Sequence, residues 1–270
     1  MKDSSQKVIL GRTNLKVSRL GIGSSYGVSE KACHKAFDEG VNYFFWGSVR
    51  TIGMCLAIRE IARSRREELV VVLECYNRHP NLIKRSVEQG LRKLEIDQAD
   101  ILLLGWYDRP PGPSVLEAVN RLKDKGCFRF LGISSHKRTL FQKYLQDGFY
   151  DVFHMRYNAA HRGAEQEIFP YLPKERGPGI VSYTNTRWGS LLKVKNMPAG
   201  FSPPTAADCY RFALSNPYVQ VAICGPKNDQ EMDAALTILK TGPMDEGELQ
   251  RMCTIGDHIH SITSLMSFFA

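Results

Sequence analysis

Three side chains that could do acid–base chemistry follow short apolar runs of the sequence: Arg50, Glu74 and His136. An Arg–carboxylate pair is planar and the guanidinium keeps its charge, so Arg50 could polarise or anchor an anionic or carbonyl group. Glu74, if desolvated, could act as a general acid or base, and the imidazole of His136 could shuttle a proton. The alternative interpretation is a salt bridge between Arg50 and Glu74 that fills an inactive site.

A second segment has the features of a phosphate site. Gly225, Lys227 and Asn228 follow an apolar run and precede a helical pattern. The N-terminus of a helix offers free N–H groups and the positive end of its dipole, which suit a phosphate group. An ordinary Gly-Pro turn with an exposed lysine is the alternative. The sequence contains neither a GxGxxG nor a P-loop motif, so neither of these motifs supports nucleotide binding.

These segments lie at the ends of predicted strands. Short apolar runs alternate with amphipathic stretches, and Gly, Pro and Asp separate them. Near-continuous apolar strands that are each followed by a helix indicate parallel strands covered by helices. Eight such units predict an α/β fold, a (β/α)8 TIM barrel with its active site at the C-terminal ends of the strands. The predicted strands cover residues 20–24, 43–47, 69–75, 100–106, 128–134, 152–157, 180–184 and 219–224.

Two end pieces complete the predicted barrel. VIL and LKVS, separated by GRTN, predict an N-terminal β-hairpin, and the stretch after Pro243 predicts an added C-terminal helix. The segment from Arg187 to Pro204 is rich in Lys, Asn, Pro and Ser, which predicts a long loop. No linker separates these units, so we expect one domain over residues 1–270.

The composition is typical of a globular protein. Of the 270 residues, 43% are hydrophobic and 24% are charged, which excludes a disordered chain, a collagen and a coiled coil. Seven scattered cysteines, without a CxxC pair, predict free thiols in a reducing compartment and no metal site. The N-terminus lacks the apolar core of a signal peptide, and no apolar run is long enough to span a bilayer. We therefore expect a cytoplasmic protein.

The net charge of +8 suggests an anionic partner. The densest basic run, from Arg59 to Arg66, has no interleaved aromatic residues, and cations at the end of a helix complement its dipole. The expected partner is therefore a small-molecule substrate, with no binding of nucleic acid or membrane.

Several segments, in order and at the right separations, resemble the aldo-keto reductase family. GRTNLKVSRLGIGSS is similar to the family's opening hairpin and first strand, and EGVNYFF to its second strand. LRKLEIDQADILLL resembles the third helix and fourth strand, and LGISSH, RYNAAHRGAEQEIFPYL and CGPKNDQEM resemble later segments, including the cofactor segment. The resemblance covers nearly the whole chain. It implies NADPH-dependent carbonyl reduction, in which a Tyr donates a proton while hydride leaves the nicotinamide.

The family's tetrad of Asp, Tyr, Lys and His is absent at the matching positions. Phe45 stands at the Asp position and Arg50 at the Tyr position, while Glu74 and Gly105 stand at the Lys and His positions. A small shift does not restore the tetrad, because residues 44–73 contain no Tyr, Lys or Asp. The standard proton relay therefore cannot operate, and Arg50 with Glu74 could replace the Lys–Asp pair.

The resemblance also implies contacts with NADP(H). The two serines after the fifth strand and His154 stand where the family bonds the carboxamide of the nicotinamide. A basic residue after the eighth strand would meet the 2′-phosphate. The expected cofactor-binding residues are Ser134, Ser135, His154, Tyr183, Gly225, Lys227 and Asn228. The expected substrate-binding residues are Trp46 and Tyr107.

These observations leave three hypotheses about function. The first is an atypical NADP(H)-dependent oxidoreductase that acts on a small carbonyl or alcohol. The second is a non-redox isomerase or lyase on the same barrel, which uses Glu74, His136 and Arg50. The third is a catalytically silent regulatory protein that binds NADP(H).

Overall fold

The computed structural model describes residues 6–47 and 49–268, with side chains up to residue 262. Within these ranges eight parallel strands close into a barrel, which confirms the predicted (β/α)8 fold. The last barrel strand pairs with the first, with Ala222 opposite Leu20. The predicted N-terminal hairpin and C-terminal helix are both present.

The strand and helix bounds follow the predicted alternation. The hairpin consists of β1 (Val8–Ile9) and β2 (Lys16–Val17). The barrel strands are β3 (Leu20–Gly23), β4 (Tyr43–Trp46), β5 (Val70–Cys75), β6 (Ala99–Leu104), β7 (Phe128–Ser135), β8 (Val152–Arg156), β9 (Gly179–Tyr183) and β10 (Val221–Cys224). The helices are α1 (Glu30–Asp38), α2 (Ile52–Arg65), α3 (Pro80–Leu94), α4 (Pro113–Asp124), α5 (Thr139–Asp147), α6 (Ala164–Glu167), α7 (Ala206–Ser215), α8 (Asp229–Leu236) and α9 (Glu246–Phe268). In the described ranges, none of these helices has the length and apolar character needed to cross a membrane.

Side chains alternate between the inside of the barrel and the helix layer, because successive residues of a strand point to opposite faces. On β5, Val70 and Val72 belong to an inner apolar cluster, whereas Val71 and Leu73 belong to the outer cluster beneath the helices. The hairpin adds Val8, Leu10, Leu15 and Val17 to the inner cluster.

The hairpin closes the N-terminal end of the barrel. Arg12 donates to the carboxylate of Asp151 at 3.1 Å and to the carbonyl oxygen of Tyr150 at 2.8 Å, directly before β8. Its backbone N–H bonds the carbonyl oxygen of Gly177, before β9. Arg12 of the hairpin is thus bonded to the residues that precede β8 and β9. The apolar side chains of the hairpin fill the interior of the barrel.

The chain after β8 departs from the predicted helix. The pattern AEQEIFPYL predicts one helix, but the structure has the single turn α6 followed by a 3-10 turn over Phe169–Tyr171. Pro170 has no N–H to donate and its ring clashes with the preceding turn, so an α-helix cannot continue through it. The loop over 187–204 contains two short 3-10 turns, Ser190–Leu192 and Val194–Asn196, and neither α-helix nor strand.

Asp100 ties together the N-terminal ends of three neighbouring strands. Its buried carboxylate accepts the backbone N–H of Val71 on β5 at 2.9 Å. The same carboxylate pairs with Arg66 at 2.9 Å and with Arg129 on β7 at 3.0 Å. Two cations and a backbone donor offset the cost of removing this charge from water.

Replacing Asp100 with Ala should lower the free energy of unfolding by about 3 kcal/mol, because a buried N–H and two guanidinium groups lose their acceptor. This value is at the low end for a buried ion pair, since the Arg129 side chain is half exposed. Urea denaturation measures the change. The control is Glu117→Ala, whose pair with Arg121 is exposed on α4 and should matter little. Equal destabilisation by both substitutions would contradict this role.

Candidate active site

A cavity of about 640 Å³ opens at the C-terminal ends of the barrel strands. Its volume lies within the usual range for small-molecule and cofactor sites. Its inner wall includes Glu74, His154 and Tyr183, and it continues along the loop after β9 to Lys227, beyond β10. The cavity therefore connects two groups of residues that the sequence predicts to be functional.

Two glycines make room for the carboxylate of Glu74. Gly47 and Gly105 follow β4 and β6, the two neighbours of β5. A Cβ atom at Gly47 would lie 2.6 Å from Oε2 of Glu74, and a Cβ atom at Gly105 would lie 2.6 Å from Oε1. Glu74 is only 5% exposed and faces the cavity. Its carboxylate thus fills the space that side chains at both flanking positions would occupy.

Arg50 does not line the cavity and does not form the expected pair with the carboxylate. Its guanidinium donates to the backbone carbonyl oxygen of Glu74 at 2.5 Å and to Oγ of Ser86 at 3.3 Å. The guanidinium also lies 5.1 Å from the ring centroid of Trp46, and burial lowers the pKa of Arg50. Arg50 therefore holds the backbone at the end of β5 and is a positioning residue.

The two predicted substrate-binding residues also lie outside the cavity lining. Trp46 packs in the outer cluster and donates through Nε1 to the carbonyl oxygen of Thr51 at 3.1 Å. Tyr107 donates to the carbonyl oxygen of Asn77, and Arg78 covers its ring at 3.7 Å. The aromatic residues that line the cavity are Tyr26, Phe45, Tyr76, Trp106, Tyr183, Trp188 and Tyr210.

His136 lies at the cavity mouth beside Trp106, with ring centroids 5.0 Å apart. Asp108 orders this corner, because it accepts from Nε1 of Trp106 at 2.7 Å and from the backbone N–H of His136 at 2.9 Å. The hydroxyl of Ser135 also donates to Asp108, at 3.0 Å, and Ser135 is not part of the lining. Burial, with the positive charge of Arg156, lowers the pKa of His136, so its imidazole is neutral at pH 7.

His154 and Ser134 line the inner end of the cavity, but both have protein partners. Nε2 of His154 lies 2.7 Å from the hydroxyl oxygen of Tyr43, and burial lowers the pKa of His154 to about 3. The hydroxyl of Ser134 accepts the backbone N–H of Trp106 at 2.8 Å. His154 is therefore a neutral imidazole deep in the barrel.

Thr184, directly after β9, lines the cavity and has a buried hydroxyl. Oγ1 of Thr184 has no hydrogen-bond partner among the described residues. Thr184 has a φ of 54°, and Arg187 and Trp188 follow at 51°. Positive φ is strained for a β-branched residue, and such strain is typical of ligand-binding loops. A ligand that bonds Thr184 would satisfy the hydroxyl.

The predicted phosphate segment at the start of α8 is partly occupied by the protein itself. Oδ1 of Asn228 accepts the backbone N–H of Glu231 at 2.8 Å, so Asn228 is the helix N-cap. The Glu231 carboxylate in turn accepts the backbone N–H of Lys227 at 2.9 Å. Gly225, Lys227 and Glu231 line the cavity, whereas Asn228 does not. Of the residues of this segment that line the cavity, Lys227 is the one with a cationic side chain.

A group of possible metal ligands lies away from the cavity. Glu30 and His34 on α1 approach Glu60 on α2, with Nε2 of His34 3.2 Å from Oε2 of Glu60. Glu30 and His34 are half-buried and Glu60 is exposed.

Known proteins resemble this chain over most of its length. It is 24% identical to an NADH-specific methylglyoxal reductase of Escherichia coli over 230 residues, which is 69% of each chain. It is also 24% identical to an L-galactose dehydrogenase of Arabidopsis thaliana, over 94% of this chain and 95% of the relative. An aldo-keto reductase from Bacillus halodurans, solved in its holo form, has the same fold with a TM-score of 0.77. That structure is 21% identical and the match covers 93% of this chain and 96% of that one.

The sequence pattern of one family matches residues 25–208, which include six of the eight barrel strands, β4 to β9. With the matching barrel architecture, this shows that the chain belongs to the aldo/keto reductase family.

Proposed function

We propose that the protein is a nicotinamide-dependent oxidoreductase of a small carbonyl or alcohol substrate, in which Glu74 exchanges the proton. The observation that best supports this function is the buried Glu74 carboxylate at the inner end of a cavity that reaches Lys227. Membership of an oxidoreductase family supports the reaction class. The names of two relatives, a methylglyoxal reductase and an L-galactose dehydrogenase, agree with small carbonyl and alcohol substrates.

The residues of the cavity fit a dinucleotide such as NADP(H). The unpartnered hydroxyl of Thr184 would bond a polar group of the cofactor, and the adjacent Tyr183 would stack on its nicotinamide ring. Lys227 would meet the 2′-phosphate, because it is the one lysine or arginine among the described residues that line the cavity. Ser134 and His154 line the inner end. When bound, the reduced nicotinamide supplies the hydride for carbonyl reduction.

Glu74 replaces the missing tyrosine as the proton donor in this proposal. Its carboxyl group gives a proton to the carbonyl oxygen as the carbonyl carbon accepts hydride, and the product is an alcohol. Alcohol oxidation runs the same transfers in reverse, with the Glu74 carboxylate as the base. The neutral imidazole of His136 stands at the mouth, where it can pass protons between the cavity and water. Arg50 fixes the backbone of Glu74.

Two other functions predict different behaviour. An isomerase or lyase could use Glu74 and His136 for proton transfer, but it would need no dinucleotide. A silent regulatory protein would bind the dinucleotide without turnover. The cavity lining runs from Glu74 along the loop after β9 to Lys227, which favours a ligand that extends beyond a small substrate.

NADPH should bind saturably and quench tryptophan fluorescence, because Trp106 and Trp188 are half exposed and line the cavity.

Lys227→Ala should weaken NADPH binding about three- to tenfold and NADH binding less, because only NADPH carries the extra phosphate. Glu231→Gln should strengthen NADPH binding relative to NADH, since it removes a negative charge beside Lys227.

The control for these titrations is Lys125→Ala, a change at the end of α4 on the outer surface. Absence of binding by both cofactors would reject the oxidoreductase and the regulatory protein together. Equal effects of Lys227→Ala on NADH and NADPH would reject the assignment of Lys227 to the 2′-phosphate.

Glu74→Gln should reduce kcat for a small aldehyde by about 100-fold or more, because the amide fills the same space but cannot exchange the proton. The Kd of NADPH should change less than twofold. Stopped-flow or steady-state oxidation of NADPH measures the first quantity, and fluorescence titration the second. Glu117→Gln, an exposed change on α4, is the matched control. Full turnover by Glu74→Gln would overturn the proposed proton path.

A further inference from the structure

Three side chains that could bind a metal converge between α1 and α2, away from the cavity. Glu30 and His34 lie four residues apart on α1, and Glu60 lies on α2. One ligand atom of each side chain lies within 4.8 Å of the other two. We propose that these residues bind a divalent transition-metal ion, with zinc as the expected metal, and that the ion joins α1 to α2. This proposal is independent of the oxidoreductase function.

The packing of α2 beside α1 brings the three ligands together. Residues four apart share one face of a helix, so the two ligands on α1 are neighbours. At the start of α2, a Cβ atom at Gly53 would lie 3.0 Å from the backbone nitrogen of Glu30. At the end of α2, the guanidinium carbon of Arg65 lies 4.5 Å from the ring centroid of Phe37. The two helices therefore run side by side in the same direction, with Glu60 between these two contacts.

The contact between His34 and Glu60 has the distance of two metal ligands but not the geometry of a hydrogen bond. Nε2 of His34 lies 3.2 Å from Oε2 of Glu60, yet this buried nitrogen has no hydrogen-bond partner among the described residues. Zinc binds imidazole nitrogen and carboxylate oxygen at about 2.0–2.2 Å, so two ligands of a tetrahedral site lie about 3.4 Å apart. Two atoms at this separation that do not bond each other can both bond one ion.

The two carboxylates of this cluster have no lysine or arginine to offset their charge. Within residues 6–47 and 49–262, Glu30 forms no ion pair and Glu60 pairs with His34 alone. The arginines on the same part of α2 pair with other carboxylates: Arg59 and Arg63 with Glu95, and Arg65 with Glu68. Two carboxylates this close repel each other, and a cation bound between them would replace that repulsion with attraction.

The ligand set and its exposure favour zinc over calcium or magnesium. Calcium and magnesium take oxygen ligands, whereas an imidazole nitrogen suits zinc and its neighbours among the transition metals. Three protein ligands leave the fourth position of a tetrahedral ion to water. The side chain of Glu60 is 66% exposed, so it can move aside to admit the ion to the covered nitrogen of His34.

Calorimetric titration of the chelator-treated full chain with Zn²⁺ tests this site directly. The tightest binding event should have a stoichiometry of one ion per chain. His34→Gln should weaken it about 100-fold or more, because the loss even of an outer-shell partner costs about 10–100-fold in metal affinity. Glu60→Gln should weaken it at least about tenfold on the same ground. His79→Gln, an exposed change directly before α3, is the matched control and should bind Zn²⁺ like the original protein.

Two further measurements distinguish this site from a thiol site. Zn²⁺ should raise the Tm of the original protein and of His79→Gln but not of His34→Gln, because an ion that binds the folded state stabilises it. Co²⁺ in place of Zn²⁺ should absorb in the visible without the intense near-ultraviolet band of a cobalt–thiolate bond. That thiolate band, undiminished Zn²⁺ binding by His34→Gln and Glu60→Gln, or Ca²⁺ binding as tight as that of Zn²⁺ would overturn the proposal. Circular dichroism without metal should be the same for all variants, and Glu60→Gln, an exposed change, keeps the test valid if His34→Gln does not fold.

Discussion

Every second residue of a strand points to the same face, and the closed barrel makes this constraint decisive for the site. The inner phase of β5 runs from Val70 through Val72 to Glu74, so the carboxylate lies directly above an apolar interior. The outer phase of the neighbouring β4 places Trp46 beneath the helices. The type of a residue suggests which chemistry its side chain could perform. Whether the residue points into or out of the barrel determines whether that side chain can reach a ligand.

This constraint explains which expectations the sequence could support. Apolar runs and breakers predict the barrel because burial on both faces demands continuous hydrophobic strands. Glu74, His136 and Tyr183 line the cavity, whereas Trp46 and Ser135, each one residue out of phase, do not. Counting by two within β4 from Phe45 and within β7 from Ser134 would have found both differences, because Phe45 and Ser134 line the cavity. The same counting could not have predicted that Asn228 is absent from the cavity lining, because Asn228 caps a helix and that role depends on the local turn.

The positions that the resemblance assigns to the tetrad differ from the family pattern in volume as well as in charge. Phe45 brings an aromatic ring where the family has an Asp, while Gly105 removes a side chain where the family has a His. The Glu74 carboxylate occupies the space next to Gly105 and Gly47. A side chain at residue 105 would therefore meet an occupied position. A Cβ at residue 105 already approaches the carboxylate to 2.6 Å, so the family's His requires a different partner at residue 74.

The hairpin has a consequence for how a solute passes through the barrel. Leu10 and Val17 fill the barrel from its N-terminal end, and Arg12 fastens the hairpin to the starts of β8 and β9. The described hairpin therefore blocks the end of the barrel opposite the cavity. A solute that enters at the C-terminal ends of the strands cannot cross the barrel and must leave on the side from which it came.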